Sequence, residues 1–370
     1  MAEPRPGPPA KAAAGTPAAA TQGRHRFIVD AQADGWRLDK YLAQQLPALS
    51  RSRLQRWITD AAVLLNGAVV RNRANVFAGD RVDVQEQAAP QDLAHAPEAM
   101  ELAVVWEDET ILVIDKPAGL VVHPGAGNWT GTLLNGLLAY DARLAGVPRA
   151  GIVHRLDAGT SGLMVVARTV AAQTDLVRQL QARTVAREYW ALVCGAVAPS
   201  LTVDAALGRD PRNPLRFRVS QAASARPART YVRRLGEYAL PGGGAVLSWL
   251  ACKLDTGRTH QIRVHLESLG HPLVGDPLYR RRLPIEALQR YAPAQALDHQ
   301  ALHACRLSLR HPLTGEILSW SRPPPADLRR LLLGVGVRAS QLRSPAKGYF
   351  PDIAGAPDDG IEVDAEDDDD

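Results

Sequence analysis

Between residues 103 and 332 the chain carries many short strand-like runs that never settle into a strand–helix–strand rhythm, which argues against a doubly wound parallel sheet. Ile111–Ile114 and Leu120–Val122 read as strands around the turn Asp115-Lys116-Pro117-Ala118-Gly119. Leu163–Ala167 reads as a buried strand, and Glu188–Gly195 and Ala245–Leu254 are again strand-like. Two helices stand out in this stretch. One runs from Val170 to Ala182 with Leu176 and Leu180 inward; the other can be capped by Thr259, buries Ile262, Leu266 and Leu269, and stops at Gly270. Strands in excess of helices imply an α+β fold on a mixed, mainly antiparallel sheet.

A smaller unit precedes it, over residues 25–86. Leu38, Tyr41, Leu42 and Leu46 share one helical face, with Arg37 and Lys40 turned away. Ser50 is a good N-cap for a second helix that buries Leu54, Trp57 and Ile58 and leaves Arg53 and Arg56 as an exposed basic pair. Two apolar arms around Asn66-Gly67 then predict a hairpin, since both turn positions need φ > 0. A further strand is expected at Val82-Asp83-Val84. Two short helices with a basic outer face, followed by a small sheet, resemble the S4 RNA-binding domain. The resemblance implies an RNA contact through Arg37, Lys40, Arg53 and Arg56, although these side chains can equally be a solvated face.

The remaining segments lack the apolar side chains to repay ordering. Residues 1–24 and 344–370 are expected to be disordered tails, and 87–102 a linker. Residues 352–370 hold ten acids and no bases, so the overall charge of +4 leaves +14 for residues 1–351. Of the 43 bases 38 are Arg, the side chain best suited to phosphate forks and base stacking, and a polyanionic partner is the natural reading. The apolar runs are too short to span a bilayer, and no secretory leader pattern is visible. Cys194, Cys252 and Cys305 are scattered without zinc spacing, as expected of buried thiols in a reduced, cytoplasmic setting.

Three clusters could carry chemistry. In Gly151-Ile152-Val153-His154-Arg155-Leu156-Asp157-Ala158-Gly159-Thr160-Ser161-Gly162, an apolar segment delivers Asp157 to a turn of small residues. Asp157 there is either a group presented to a substrate or a turn-capping residue. In Gly257-Arg258-Thr259-His260-Gln261-Ile262-Arg263-Val264-His265-Leu266, Arg258 and Arg263 could face an anion or a carboxylate, or Arg263 could pair with Glu267 on the surface. In Arg187-Glu188-Tyr189-Trp190-Ala191, Tyr189 is a base-stacking ring or a core tyrosine. His260 and His265 point to different sides of a helix and make poor joint metal ligands.

The order of these clusters, H-R-L-D-x-x-T-S-G-L, then R-E-Y-x-A-x-V-x-G, then T-G-R-T-H-Q-I-R-V-H, resembles the RluA family of pseudouridine synthases over about residues 103–332. Gly270–Tyr279, Ala301–Ala304 and His311–Glu316 extend the likeness, and Val121–Asn128 with Gly131–Asn135 is most similar to the RluD type. The resemblance implies a catalytic Asp157, an Arg155 that helps displace the target base, a Tyr189 that stacks on the uracil, and an Arg263 that pairs with Asp157. Arg258 is a further substrate-binding candidate. Ala158-Gly159 departs from relatives that carry Lys directly after the aspartate. The resemblance further implies isomerisation of uridine in RNA, in the helix 69 stem-loop of large-subunit ribosomal RNA within a pre-ribosomal particle. It implies no cofactor, no metal and no membrane, and a monomer is expected.

Breaking N1–C1′ and joining C5 to C1′ needs neither redox nor phosphate energy. A carboxylate can serve as nucleophile at C1′, as base at C2′, or by stabilising an oxocarbenium-like centre. A glycoside hydrolase would want a second carboxylate. An RNA-binding ribosome-assembly factor with an inactive second domain is the non-enzymatic alternative, and a synthase acting on a different rRNA or tRNA site is the enzymatic one.

Overall fold

A computed structural model describes residues 23–87, 93–125, 127–243, 245–281, 284–343 and 348–350. The chain divides into two compact units, with the break between Leu93 and Ala94. In the first, β1 (Arg24–Ile28), α1 (Leu38–Gln45), α2 (Arg51–Thr59), β2 (Val63–Leu65), β3 (Ala68–Val69) and β4 (Arg81–Gln85) form a four-stranded sheet, ordered β1-β4-β2-β3, with two helices packed on it. Ser50 caps α2 by accepting from the Arg53 N–H, and Asn66 (φ 51°) and Gly67 (φ 80°) make the turn between β2 and β3. Strand β1 carries no alternating apolar signal and escapes the sequence pattern.

Of Arg37, Lys40, Arg53 and Arg56, Arg53 is less open than expected, and Arg37 is exposed but engaged. Arg37 and Arg51 both fork onto Asp39, which is fully buried. Burial acts to raise the Asp39 pKa, but the hydrogen bonds from Arg51, Gln55 and Arg37 bring it to about 2. Arg53 is half-buried, lies over the Trp57 ring and donates to the Gln87 carbonyl, so the expected exposed pair with Arg56 is not formed. Lys40, over Trp36, and Arg56 stay exposed.

The second unit is ordered β5 (Val104–Glu107), β6 (Ile111–Lys116), α3 (Leu133–Tyr140), β7 (Ser161–Ala167), α4 (Val170–Gln181), β8 (Ala186–Cys194), β9 (Ser200–Asp204), β10 (Leu207–Arg209), β11 (Phe217–Val219), β12 (Arg229–Ala239), β13 (Val246–Leu254), α5 (Gln261–Ser268), α6 (Ile285–Gln289), α7 (Ala292–Gln295), β14 (Leu302–Arg310), β15 (Ile317–Ser321) and α8 (Ala326–Gly334). Nine strands form one sheet in the order β5-β6-β7-β14-β8-β13-β12-β9, with β15 on β14. Its ladders are antiparallel except β7 with β14, where His303 and Ala304 run parallel to Ser161 and Gly162. The central strands β7, β8 and β14 are buried on both faces of the sheet, and β8 shows how. Tyr189, Ala191 and Val193 pack towards α3 and α5, while Trp190, Leu192 and Cys194 pack towards α8.

Several segments depart from their sequence pattern for identifiable reasons. Leu120–Val122 is not a strand, because its carbonyls are taken by the Lys116 ammonium and by the first N–H groups of α3, Leu133 and Leu134. Residues 94–102, expected as linker, pack into the second unit: Asn135 Nδ2 donates to the carbonyls of Ala94 and Ala96, and Glu98 accepts from the Gly131 N–H. Residues 348–350, expected in the disordered tail, dock against β8, where the Tyr349 hydroxyl accepts from Trp190 Nε1 and its N–H donates to Glu188. The expected tails at 1–22 and 351–370 lie outside the described residues. Leu269 is exposed rather than inward, since α5 ends one residue before it.

Candidate active site

Asp157 stands in the turn that leads into β7. The Thr160 N–H closes this turn on the Asp157 carbonyl, and Gly119 N–H and Lys116 Nζ both donate to the carbonyl of Ala158. The small residues of the turn answer to packing. A Cβ at Gly162 (φ 113°) would stand 2.3 Å from the Ala304 carbonyl oxygen on β14, and one at Gly159 would meet Gln300 and His299. Close pairing with β14 and its preceding loop, rather than access for a substrate, therefore demands Gly162.

The Asp157 carboxylate is mostly enclosed and does not cap its own turn. It accepts from Arg263 Nη1 at 3.0 Å. Arg263 lies in α5, only 5% exposed, and its other edge forks onto Asp276, Nε at 2.7 Å and Nη2 at 2.9 Å. Asp276 is buried and also accepts from the N–H groups of Leu278 and Tyr279. One guanidinium thus bridges two carboxylates, and its planar fork fixes the direction in which it meets Asp157. Burial opposes the Arg263 charge, but Asp276 and Asp157 outweigh it and raise its pKa above that of ordinary arginine. The surface pairing of Arg263 with Glu267 does not occur; Glu267 binds Arg216.

The loop before α5 brings a residue whose part in the site the sequence did not announce. Thr259 is not the cap; His260 takes the N-cap position in a left-handed conformation (φ 57°). The Tyr279 hydroxyl oxygen accepts from the Phe217 N–H and lies 2.9 Å from His260 Nδ1, a hydrogen bond whose donor is set by the His260 tautomer. The other ring nitrogen, Nε2, faces Asp157 Oδ1 at 3.9 Å. Burial lowers the His260 pKa and favours the neutral ring.

Lys116 was read only as part of a turn, yet its buried ammonium holds that turn together. Nζ donates to the carbonyls of Pro117 (2.7 Å), Leu120 (2.9 Å) and Ala158 (2.9 Å). Burial brings its pKa down to about 7, against the pull of Asp157. A base with a folded pKa below its unfolded value binds fewer protons when folded, so its contribution to stability grows as pH rises from about 7. Urea melts of wild type and Lys116→Met between pH 6.5 and 8.5 should therefore diverge in favour of wild type, by on the order of 1 kcal/mol per pH unit. A difference that stays flat would mean that the three carbonyls keep the ammonium charged throughout.

Arg155, Asp157, Tyr189, Arg258, His260 and Arg263 all line one narrow cleft. Arg155 is exposed at its mouth, whereas Tyr189 is buried on β8, where burial pushes its phenol up to about 12. Arg258 is half-buried, and its Nε donates to the Pro227 carbonyl. Asp157 is the one carboxylate among the described residues of this lining.

Comparison with known proteins gives the arrangement its family. Residues 110–268 match the RNA pseudouridylate synthase family, and residues 36–82 match the S4 domain. The chain is 48% identical over 305 residues to the ribosomal large subunit pseudouridine synthase D of Nitrosomonas europaea, spanning 81% of this chain and 85% of that protein. It is 47% identical to the protein of that name from Neisseria meningitidis serogroup B, over 85% of this chain and 83% of the relative. For Escherichia coli K12 the figures are 44%, 80% and 90%. The chain belongs to the RNA pseudouridylate synthase family. It is an isomerase with an S4 domain ahead of its synthase domain. Among solved structures, human RNA pseudouridylate synthase domain containing 1 aligns with a TM-score of 0.48 at 25% identity, over 65% of this chain and 87% of the human one. The synthase match takes in Asp157, Tyr189 and Arg263, while Asp276 falls beyond its end.

Proposed function

We propose that this synthase converts uridine to pseudouridine in large-subunit ribosomal RNA, in the stem-loop of helix 69, with Asp157 as the catalytic group. The observation that carries the reading is the single enclosed carboxylate, fixed by Arg263 and Asp276 beside the Tyr189 ring. The names of the relatives support the ribosomal substrate, and the stretch Val121–Asn128 supports the helix 69 target. The S4 domain offers Lys40 and Arg56 to the RNA backbone, and Arg37 and Arg53 add charge from partly engaged positions. The domains are taken as 25–86 for RNA binding and 103–332 for catalysis. A cytoplasmic monomer acting on a pre-ribosomal particle completes the reading; no described helix is long and apolar enough to cross a membrane.

Mechanistically, the target uridine leaves its stack and Arg155, at the mouth, occupies the space it vacates. The uracil lies against Tyr189, which is held in place by burial on β8. Asp157 then assists cleavage of N1–C1′, by attack on C1′, by taking the C2′ proton, or by charge stabilisation at C1′. The base turns, C5 bonds to C1′, the proton leaves C5 and N1 takes one up, so that the product is an isomer of the substrate. A hydrolase of the two-carboxylate kind finds no second carboxylate among the described residues of the cleft lining to activate water.

The test is pseudouridine mapping of ribosomal RNA from a strain lacking the gene, paired with conversion of a synthetic helix 69 stem-loop by purified protein. Helix 69 uridines are expected to lose the carbodiimide-dependent stop in the deletion strain and to acquire it in the synthetic RNA. Full modification of helix 69 without the protein would remove that target from the reading, and release of free uracil would replace isomerisation with hydrolysis.

A further inference from the structure

Arg187 is only 7% exposed, yet no described residue accepts a hydrogen bond from its Nε or forms an ion pair with it. A buried guanidinium without a carboxylate is expensive to keep, and a fold retains one where a ligand completes it. Its place is informative. Arg187 lies two residues from Tyr189 on β8, so both point to the same face of the sheet. It lines the Asp157 cleft and also a neighbouring cavity of about 530 Å³, which Arg149, Arg155, Arg183 and Arg258 line too. Gly257 sits against its tip: a Cβ there would stand 2.9 Å from Nη1. Asp255, the one acid among the described residues lining the second cavity, is engaged by Arg183 at 3.3 Å and Arg229 at 3.8 Å. Two further polar atoms of that cavity, His154 Nδ1 and His123 Nε2, are buried without partners among the described residues.

We infer that Arg187 is the seat of a backbone phosphodiester next to the target uridine, and that the RNA strand runs from the Asp157 cleft into the adjoining basic cavity. The inference deepens the RNA-substrate reading above and rests on it. A phosphodiester fits better than a uracil carbonyl, because a neutral oxygen leaves the buried charge uncompensated. Burial lowers the Arg187 pKa against the weaker pull of Tyr189 and Asp255, and a phosphodiester at its tip would act in the opposite sense to burial. Arg187 in this role positions the strand and takes no part in bond making.

The experiment compares wild type with Arg187→Met on stem-loops that carry one neutral methylphosphonate at each linkage flanking the target uridine. Wild type should lose ~10–100-fold in kcat/KM at one linkage. Arg187→Met should show that same loss on all-phosphate RNA, little further loss at that linkage, and a salt dependence of binding shallower by about one charge. Its Tm should equal or exceed that of wild type, since an uncompensated buried charge has been removed. A variant that responds to every linkage as wild type does would overturn the assignment. So would a Tm several degrees lower, the mark of a structural cation. Conversion of the all-phosphate stem-loop by wild type reports on the substrate reading separately, so the two can fail independently.

Discussion

Asp157→Asn is expected to abolish pseudouridine formation, with kcat/KM down by at least about 10⁴-fold, while RNA affinity stays within a few-fold of wild type. The amide keeps the size of the carboxylate and can still meet Arg263 Nη1 through its oxygen, and the Arg263–Asp276 fork is untouched. The fold should therefore survive. What disappears is the negative charge at the one position in the cleft that can reach C1′ or C2′, and an amide replaces it neither as nucleophile nor as base. Affinity should not fall, because removing a negative charge from a surface that binds a polyanion works in favour of binding. Carbodiimide-arrested primer extension measures turnover, and filter binding measures affinity. Turnover within tenfold of wild type would take the catalytic role away from Asp157. Asp157→Glu is a sharper companion: the charge is kept, but one extra methylene breaks the 3.0 Å contact with Arg263, and a loss of ~10²-fold is expected from misplacement alone.

The residues around Asp157 also show what a sequence can and cannot disclose. Local features were legible: Ser50 as a cap, Asn66-Gly67 as a turn, Leu163–Ala167 as a buried strand, since each follows from neighbours within a few positions. The three chemical clusters were legible in their order, and the structure brings Asp157, Tyr189 and Arg263 into one cleft. What the pattern hid is long-range partnership. Arg263 could have paired with Glu267 one turn away; only the tertiary fold supplies Asp276 and Asp157 instead. Lys116 reads as part of a polar turn, because nothing in its neighbourhood reveals that Ala158, 42 residues on, needs its proton. His260 in a left-handed cap breaks the rule that favoured Thr259, and it does so where its ring must reach both Tyr279 and the cleft. Gly162 reads in the sequence only as one small residue of a turn, and the structure shows that it admits β14.

Asp276 should matter for turnover as well as for stability although it lies outside the cleft lining. Its oxygens accept two bonds from Arg263 and two from backbone N–H groups, with no exposure to water. In Asp276→Asn one oxygen becomes an NH₂ that confronts the guanidinium donor to donor, and a buried cation loses its better partner. Breaking such a pair costs about 3–5 kcal/mol, which for a unit of this size lowers Tm by roughly 10 °C. Arg263 then holds Asp157 from one side only and can swing with it, so kcat should fall by ~10²-fold while KM, set largely by backbone contacts, changes little. A purely structural role would produce the melting shift without this split. The double variant Asp157→Asn/Asp276→Asn separates the two: if Asp276 acts through Arg263 on the Asp157 carboxylate, the second substitution should cost nothing further in residual rate once that carboxylate is gone, although its effect on Tm persists. Arg263→Lys extends the same logic, since an ammonium carries the charge but cannot fork onto Asp276 and reach Asp157 together. A folded Asp276→Asn enzyme with wild-type kcat would show that Asp157 needs no such brace.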